Sequence, residues 1–142
     1  MAEGFQIVVP VDFAPHTQKL ADYAAMVAEK FGGSLRFIHV CRPLGVYGGF
    51  AHHSFDVATK EMLTYYERKM SNLVDKHLGS IGKVVLGDAA DEILSFAGDI
   101  EAELIVIGSV GSKGLEKVVM GSVAERVVRL SPCPTLIFGP QH

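Results

Sequence analysis

The chain is poor in cysteine, in excess basic charge and in long apolar runs, and each shortage narrows what it does. Its 142 residues include 2 cysteines, Cys41 and Cys133. Two thiols make neither a disulfide framework nor a four-ligand zinc centre, so reduced thiols in the cytoplasm are the expectation. No window reaches about 18 uninterrupted apolar residues, so no membrane-spanning helix is expected. The opening MAEGFQIVVPVD carries no basic segment ahead of its short apolar run, unlike a secretory leader. The formal net charge of −3 gives no pull toward DNA or RNA. The first apolar run is not followed by G-x-G-x-x-G, which argues against an ordinary dinucleotide fold.

What the chain has is apolar residues, 49% of the total. That share suits a domain that buries both faces of a sheet, or some surface in a partner. A chain of this length reads as one domain, residues 1–142. Phe5–Val11, Ser34–Val40, Gly82–Leu86, Leu104–Ile107 and Thr135–Phe138 read as five short strands. Between them run four helical patterns. The first covers Pro15–Phe31, with Leu20, Ala24, Val27, Ala28 and Phe31 at helical spacing and Gly32-Gly33 as its stop. The second covers Asp56–Leu78, after a long loop at Cys41–Phe55. The third opens at Gly87-Asp88, with Asp88 as N-cap, and runs to about Ile100. The fourth covers Ser122–Leu130, with Ser122 and Glu125 at capping-box spacing. Strict alternation predicts an α/β fold, an open five-stranded parallel sheet with helices on both faces. Ligands of such sheets bind beyond the strands' C-terminal ends, which points to Pro10–Ala14, Val40–Cys41 and Ile107–Gly111.

The richest segment is Leu104–Leu130. An apolar strand ends at Gly108, a glycine-rich loop follows, and a helix opens at Ser122. The glycines fall as Gly108, two residues, Gly111, nine residues, then Gly121-Ser122. Glycine lets backbone turn tightly and approach a ligand closely. The amides near Ser122 and Val123 are unpaired helix donors with partial positive charge, suited to a phosphate. This is no P-loop, because Gly108 lies five residues before Lys113 and no second glycine directly precedes that lysine. Spacing alone leaves two readings open: a phosphate cradle, or turn glycines with Ser122 as a simple cap.

These residues resemble the universal stress protein family, over nearly the whole chain. IVVPVDF, LRFIHV, LIVIGSVG and MGSVAERVVRLSPCPTLIF carry the resemblance. ATP-binding members are marked by G-x2-G-x9-G-[ST], which Gly108, Gly111, Gly121 and Ser122 match in full. The resemblance implies a Rossmann-like, adenine nucleotide alpha hydrolase-like sheet in the order 3-2-1-4-5. It implies ATP, or ADP or AMP, between strands 1 and 4, with Mg2+ as counterion on the phosphate oxygens. Pro10, Asp12 and Val40 would line the adenine and ribose side, and Ile107 and Gly108 would lie against the nucleoside. Gly111, Gly121, Ser122 and Val123 would hold phosphates. Asp12 has a second reading, as a cap of the first helix. Three positions depart from the family pattern. Val110 stands where Arg or His is common and removes a cation. Ala14 stands where Ser is common, and Asp88 replaces a frequent proline. Lys113 and Lys117 could supply charge, or simply face solvent.

The leading expectation is a dimeric ATP-binding regulatory protein of the stress response, in which ATP shifts the Val110–Met120 loop to change what a regulatory partner meets. A homodimer is expected through Pro134–Phe138, an apolar edge strand that invites pairing across a two-fold axis. The alternatives are a slow ATPase or phosphotransferase, and a dimeric interaction module without nucleotide. No base, nucleophile or arginine clamp for phosphoryl transfer is evident, so no catalytic residue is assigned. His52-His53 lack companions for a metal site. His39 reads as a hydrogen-bonded core residue or cleft wall, Cys133 as packing, and Cys41 as a weak redox candidate at the strand-2 exit. Met62, Leu63, Met70, Leu73 and Val74 form an apolar helical stripe.

Overall fold

The computed structural model describes residues 4–43, 52–110 and 120–139. The elements alternate without exception: β1 (Phe5–Pro10), α1 (Thr17–Phe31), β2 (Gly33–Cys41), α2 (His52–Asp75), β3 (Ile81–Leu86), α3 (Ala89–Asp99), β4 (Leu104–Gly108), α4 (Ser122–Leu130) and β5 (Thr135–Phe138). All four strand pairings are parallel, and the order is β3-β2-β1-β4-β5. The apolar runs take the centre of the sheet because only there are both faces covered. Ile7, Val8 and Val9 of β1 are fully buried, as are Ile105 and Val106 of β4.

Alternation along each strand sends successive side chains to opposite layers. Ile7, Val9, Leu35, Phe37 and Val106 pack with Leu20, Ala24 and Val27 of α1 and with Met70 and Leu73 of α2. Val8, Ile38, Ile105 and Ile107 pack with Ala90, Ile93 and Ala97 of α3 and with Ala124 and Val127 of α4. Met62, Leu63 and Val74 of the predicted stripe are half-buried beside Met70 and Leu73. The α1 pattern holds except at Phe31, which is 60% exposed and stacks on Phe5 with ring centroids 4.9 Å apart. Gly32 ends α1 in the left-handed region, φ 63°, where a side chain would be strained.

Three local expectations are corrected. Helix α2 begins at His52, not Asp56, and closes at Asp75, not Leu78. The helix-breaking residues of the predicted loop, Pro43, Gly45, Gly48 and Gly49, all precede His52, so nothing stops the helix from starting there. Pro15 stands in the turn ahead of α1, whose N-cap is His16. The N-cap of α4 is Gly121, so Ser122 is the first helical residue and no capping box forms. Glu125 is thereby one position too deep to reach back, and instead accepts from Arg129 at 3.0 Å. Asp88 does cap α3, accepting from the Asp91 amide at 3.0 Å.

Pairing between β1 and β4 joins Ile7 to Leu104 and Val8 to Ile105, and ends there. On its other side β1 stays paired with β2 through Pro10↔Ile38. The chain winds one way from β1 to β3 and the other way from β4 to β5, so this parting is the switch point of the sheet.

Candidate functional site

Four segments converge where β1 and β4 part: the tip of β1, the start of α1, the exit of β4 and the start of α4. The β1 tip is held from the β2 side. The Val11 amide donates to Ile38 O at 2.9 Å, and His39 Nδ1 pairs with Val11 O at 2.7 Å. His39 is buried, and its ring lies 4.2 Å from Tyr66 and 5.2 Å from Phe13, centroid to centroid. Burial holds its pKa below the ordinary histidine value, against the opposing Val11 carbonyl and Asp12 charge. A buried ring paired with backbone and packed on aromatics matches the first of its two expected readings, a hydrogen-bonded core residue.

Asp12 follows as the acidic tip. Its Oδ1 accepts from the Ala14 amide at 3.0 Å, forming an Asx turn rather than a helix cap. Between them Phe13 takes φ 59°, a strained conformation for a side chain of its size, and its ring stacks on Tyr66. Helix α1 starts at Thr17, five residues after Asp12, with no side-chain cap at His16. That N-cap residue, His16, turns back on the site: its Nε2 lies 3.5 Å from Asp12 Oδ1.

On the β4 side, Ile107 is buried in the α3/α4 layer and Gly108 pairs with Phe138. Gly108 does not take positive φ, and a Cβ there would meet His16 Nε2 and Val110 O at 3.6 Å, an ordinary contact. Neither backbone nor packing therefore demands a glycine. The same holds for the backbone of Gly121, at φ −63° and ψ 156°. The expected turning role of these glycines is replaced by a plainer property, the lack of a side chain. The Gly121 amide donates to Ser109 O at 2.6 Å, which sets the start of α4 against the β4 exit and uses up that donor. The next amides, at Ser122 and Val123, belong to the first helical turn, where no side chain caps them. Ser109 Oγ is buried there without a hydrogen-bond partner among the described residues. Helix α4 is steadied from outside by Arg126, whose Nη1 donates to Asp88 Oδ2 at 3.0 Å and Nη2 to Asp91 Oδ1 at 2.5 Å.

The predicted residues divide accordingly. Pro10, Asp12, Ile107, Gly108, Gly121, Ser122 and Val123 all sit on the converging segments. Val40 stands beyond the end of β1 on β2, paired with Val85 and packed in the α3/α4 layer. Gly111, Lys113 and Lys117 lie outside the described residues. Sequence reasoning missed His16 and Phe13. His16 had a signal, four residues from Asp12 at a helix start; the left-handed Phe13 had none. Cys41 is buried, and burial, with the Glu67 charge, raises its pKa, which disfavours a reactive thiolate. Among the described residues no cluster of three metal-ligating side chains occurs, and no helix is long and apolar enough to cross a membrane.

The sequence profile of the Universal stress protein family matches residues 5–139. The chain is 31% identical over 137 residues to Universal stress protein MJ0531 of Methanocaldococcus jannaschii, covering 93% of this chain and 80% of the relative. The solved structure of MJ0577 superposes with a TM-score of 0.83 at 20% identity, covering 96% of each chain. The universal stress protein of Archaeoglobus fulgidus in complex with dAMP superposes with a TM-score of 0.60 at 26% identity, covering 96% of this chain and 98% of that one. A family match along almost the full length, on a sheet with the expected strand order, settles the affiliation: the chain belongs to the universal stress protein family.

Proposed function

We propose that the protein is a nucleotide-binding regulator of the stress response, taking an adenine nucleotide where β1 and β4 part. The observation that carries this reading is the bare start of α4. Its first amides have no side-chain cap, and the hydroxyl of Ser109, whose carbonyl holds the Gly121 amide, is buried without a partner among the described residues. An unpaired buried hydroxyl costs about 1–3 kcal/mol, so a ligand oxygen supplied there is stabilising. Helix amides with partial positive charge favour an anion, and phosphate suits them best. Asp12 supplies the complementary acceptor for ribose hydroxyls through Oδ2, the oxygen not bound to Ala14. The dAMP complex of the Archaeoglobus fulgidus relative supports adenine as the base.

ATP is the nucleotide we favour over ADP or AMP, with Mg2+ held by its phosphate oxygens. The amides of Ser122 and Val123, with Gly121 giving access, would hold phosphate, and Pro10, Ile107 and Gly108 would border the nucleoside. The protein would act as a homodimer. Strand β5 is an edge of the sheet with all four residues only half-buried, which leaves its outer side open to a second copy through Pro134–Phe138.

Titration calorimetry with ATP, ADP and AMP tests the binding. Saturable heat is expected, weakened at least about tenfold by Asp12→Ala and abolished by Gly121→Val, which puts a branched side chain at the mouth of the amides. Absence of heat with all three nucleotides overturns the reading. Mass spectrometry of nucleotide that co-purifies identifies the ligand, and sedimentation equilibrium tests the dimer.

A further inference from the structure

Between the Asp12 carboxylate and Gly108 stands the His16 imidazole. His16 Nε2 lies 3.5 Å from Asp12 Oδ1, and a Cβ on Gly108 would meet that same nitrogen at 3.6 Å. The ring thus reaches across the opening between the tips of β1 and β4. Its side chain is 29% exposed, open enough to be met and sheltered enough to be held. Among the described residues the ring makes no hydrogen bond. The carboxylate oxygen it faces already accepts from Ala14 at 3.0 Å. At its separation from that oxygen, an Nε2–H makes a weak bond at best and retains the capacity to donate elsewhere.

We propose that His16 is a ligand-contacting residue, whose Nε2–H donates to the nucleotide phosphate nearest the ribose. The proposal rests on the nucleotide reading above and names a contact within it. Three observations bear on it. Asp12 brings a carboxylate to the place where the proposed anion would sit, and the Nε2–H beside it supplies a donor that an anion can use. Val110 brings neither charge nor side-chain donor to the β4 exit, so a side-chain donor there comes from another segment. Gly108, which neither its backbone nor its packing requires, keeps the space in front of the ring clear.

Calorimetry on the full chain with adenosine, AMP and ATP separates a phosphate contact from a ribose contact. His16→Ala is expected to weaken AMP and ATP about tenfold and to leave adenosine unchanged, as befits loss of a hydrogen bond to a charged group. His16→Gln, which carries an amide donor at similar reach, is expected to recover most of that loss. The thermal midpoint without ligand is expected to stay within about 2 °C of the parent, since the ring loses only its long, partly exposed contact with Asp12. Equal weakening of adenosine and AMP overturns the phosphate assignment in favour of ribose. Unchanged affinities in His16→Ala, with the parent binding normally, overturn the contact alone. A parent chain that binds none of the three overturns the nucleotide reading and this contact with it.

Discussion

Gly33 and Gly108 occupy opposite ends of the same sheet, and they lack side chains for opposite reasons. Gly33 opens β2 opposite Phe5, and a Cβ there would lie 2.5 Å from Phe5 O and 3.1 Å from Phe5 Cβ. The neighbouring backbone forbids anything larger, so the fold itself explains the residue. Gly108 closes β4 opposite Phe138, and among the described residues a Cβ there would meet nothing nearer than 3.6 Å. The fold leaves this glycine unexplained. The same contrast separates the helix starts. Asp88 gives α3 a capping oxygen, whereas α4 begins bare at Gly121. Stability accounts for the lower rim and the flank of the sheet; at the upper rim between β1 and β4 it accounts for much less.

Substitution at the two glycines is the strongest way to break this contrast. Gly33→Ala is expected to cost about 2–3 kcal/mol in denaturant unfolding, because the overlap is with rigid backbone, while the folded fraction keeps its nucleotide affinity. Gly82→Ala is a control with a smaller loss. Its Cβ would meet Met70 Sδ at 2.5 Å, Met70 Cγ at 2.6 Å and Val74 Cγ2 at 2.9 Å, all side-chain atoms, which give way more readily than the backbone oxygen at Gly33. Gly108→Ala is expected to leave stability unchanged or raise it by about 0.5 kcal/mol, through a less flexible unfolded chain. Its nucleotide affinity is expected to fall about tenfold, measured by calorimetry. A Gly108→Ala protein that unfolds early and binds normally would reverse the contrast.

Two smaller effects sharpen it. Asp88→Ala is expected to lower the thermal midpoint without changing nucleotide affinity, since it removes the α3 cap and one arm of the Arg126 pairing but touches nothing at the site. The weakest effect is one of pH. His39 has its pKa lowered from 6.5 in the folded chain, chiefly by burial. Below that value the unfolded chain takes up a proton that the folded chain refuses. Stability is therefore complete above it and is lost as pH falls toward the depressed folded value. Thermal midpoints at about pH 7.5 and about pH 5.5 are expected to differ less in His39→Gln than in the parent.

Almost all of the architecture is legible in the chain, because parallel strands buried on both faces read as unbroken apolar runs and the helices between them have clear stops. The strand order came from resemblance; no local pattern encodes which strands are neighbours. What local patterns missed are features set by tertiary context. The start of α2 was hidden by the glycines before it. Ser122 looked like a cap until the extended Gly121 took that role. Pro10, Asp12, Gly108 and Gly121 could be named from motif and topology. For His16 the chain offers only its spacing from Asp12; its place 3.6 Å from where a Gly108 Cβ would stand is set between residues far apart along the chain. Phe13 carries strain that no propensity would assign to it.

The two-pronged grip of Arg126 on Asp88 and Asp91 has a kinetic consequence. It moors α4, whose first amides no side chain caps among the described residues, to α3, so that side of the proposed socket would stand ready-made before any guest arrives. A guest anion would then forfeit little freedom in organising that side of its berth, and capture would be fast and release the tunable step. Cutting the mooring with Arg126→Ala would show itself first as a slower arrival, with the amides themselves untouched.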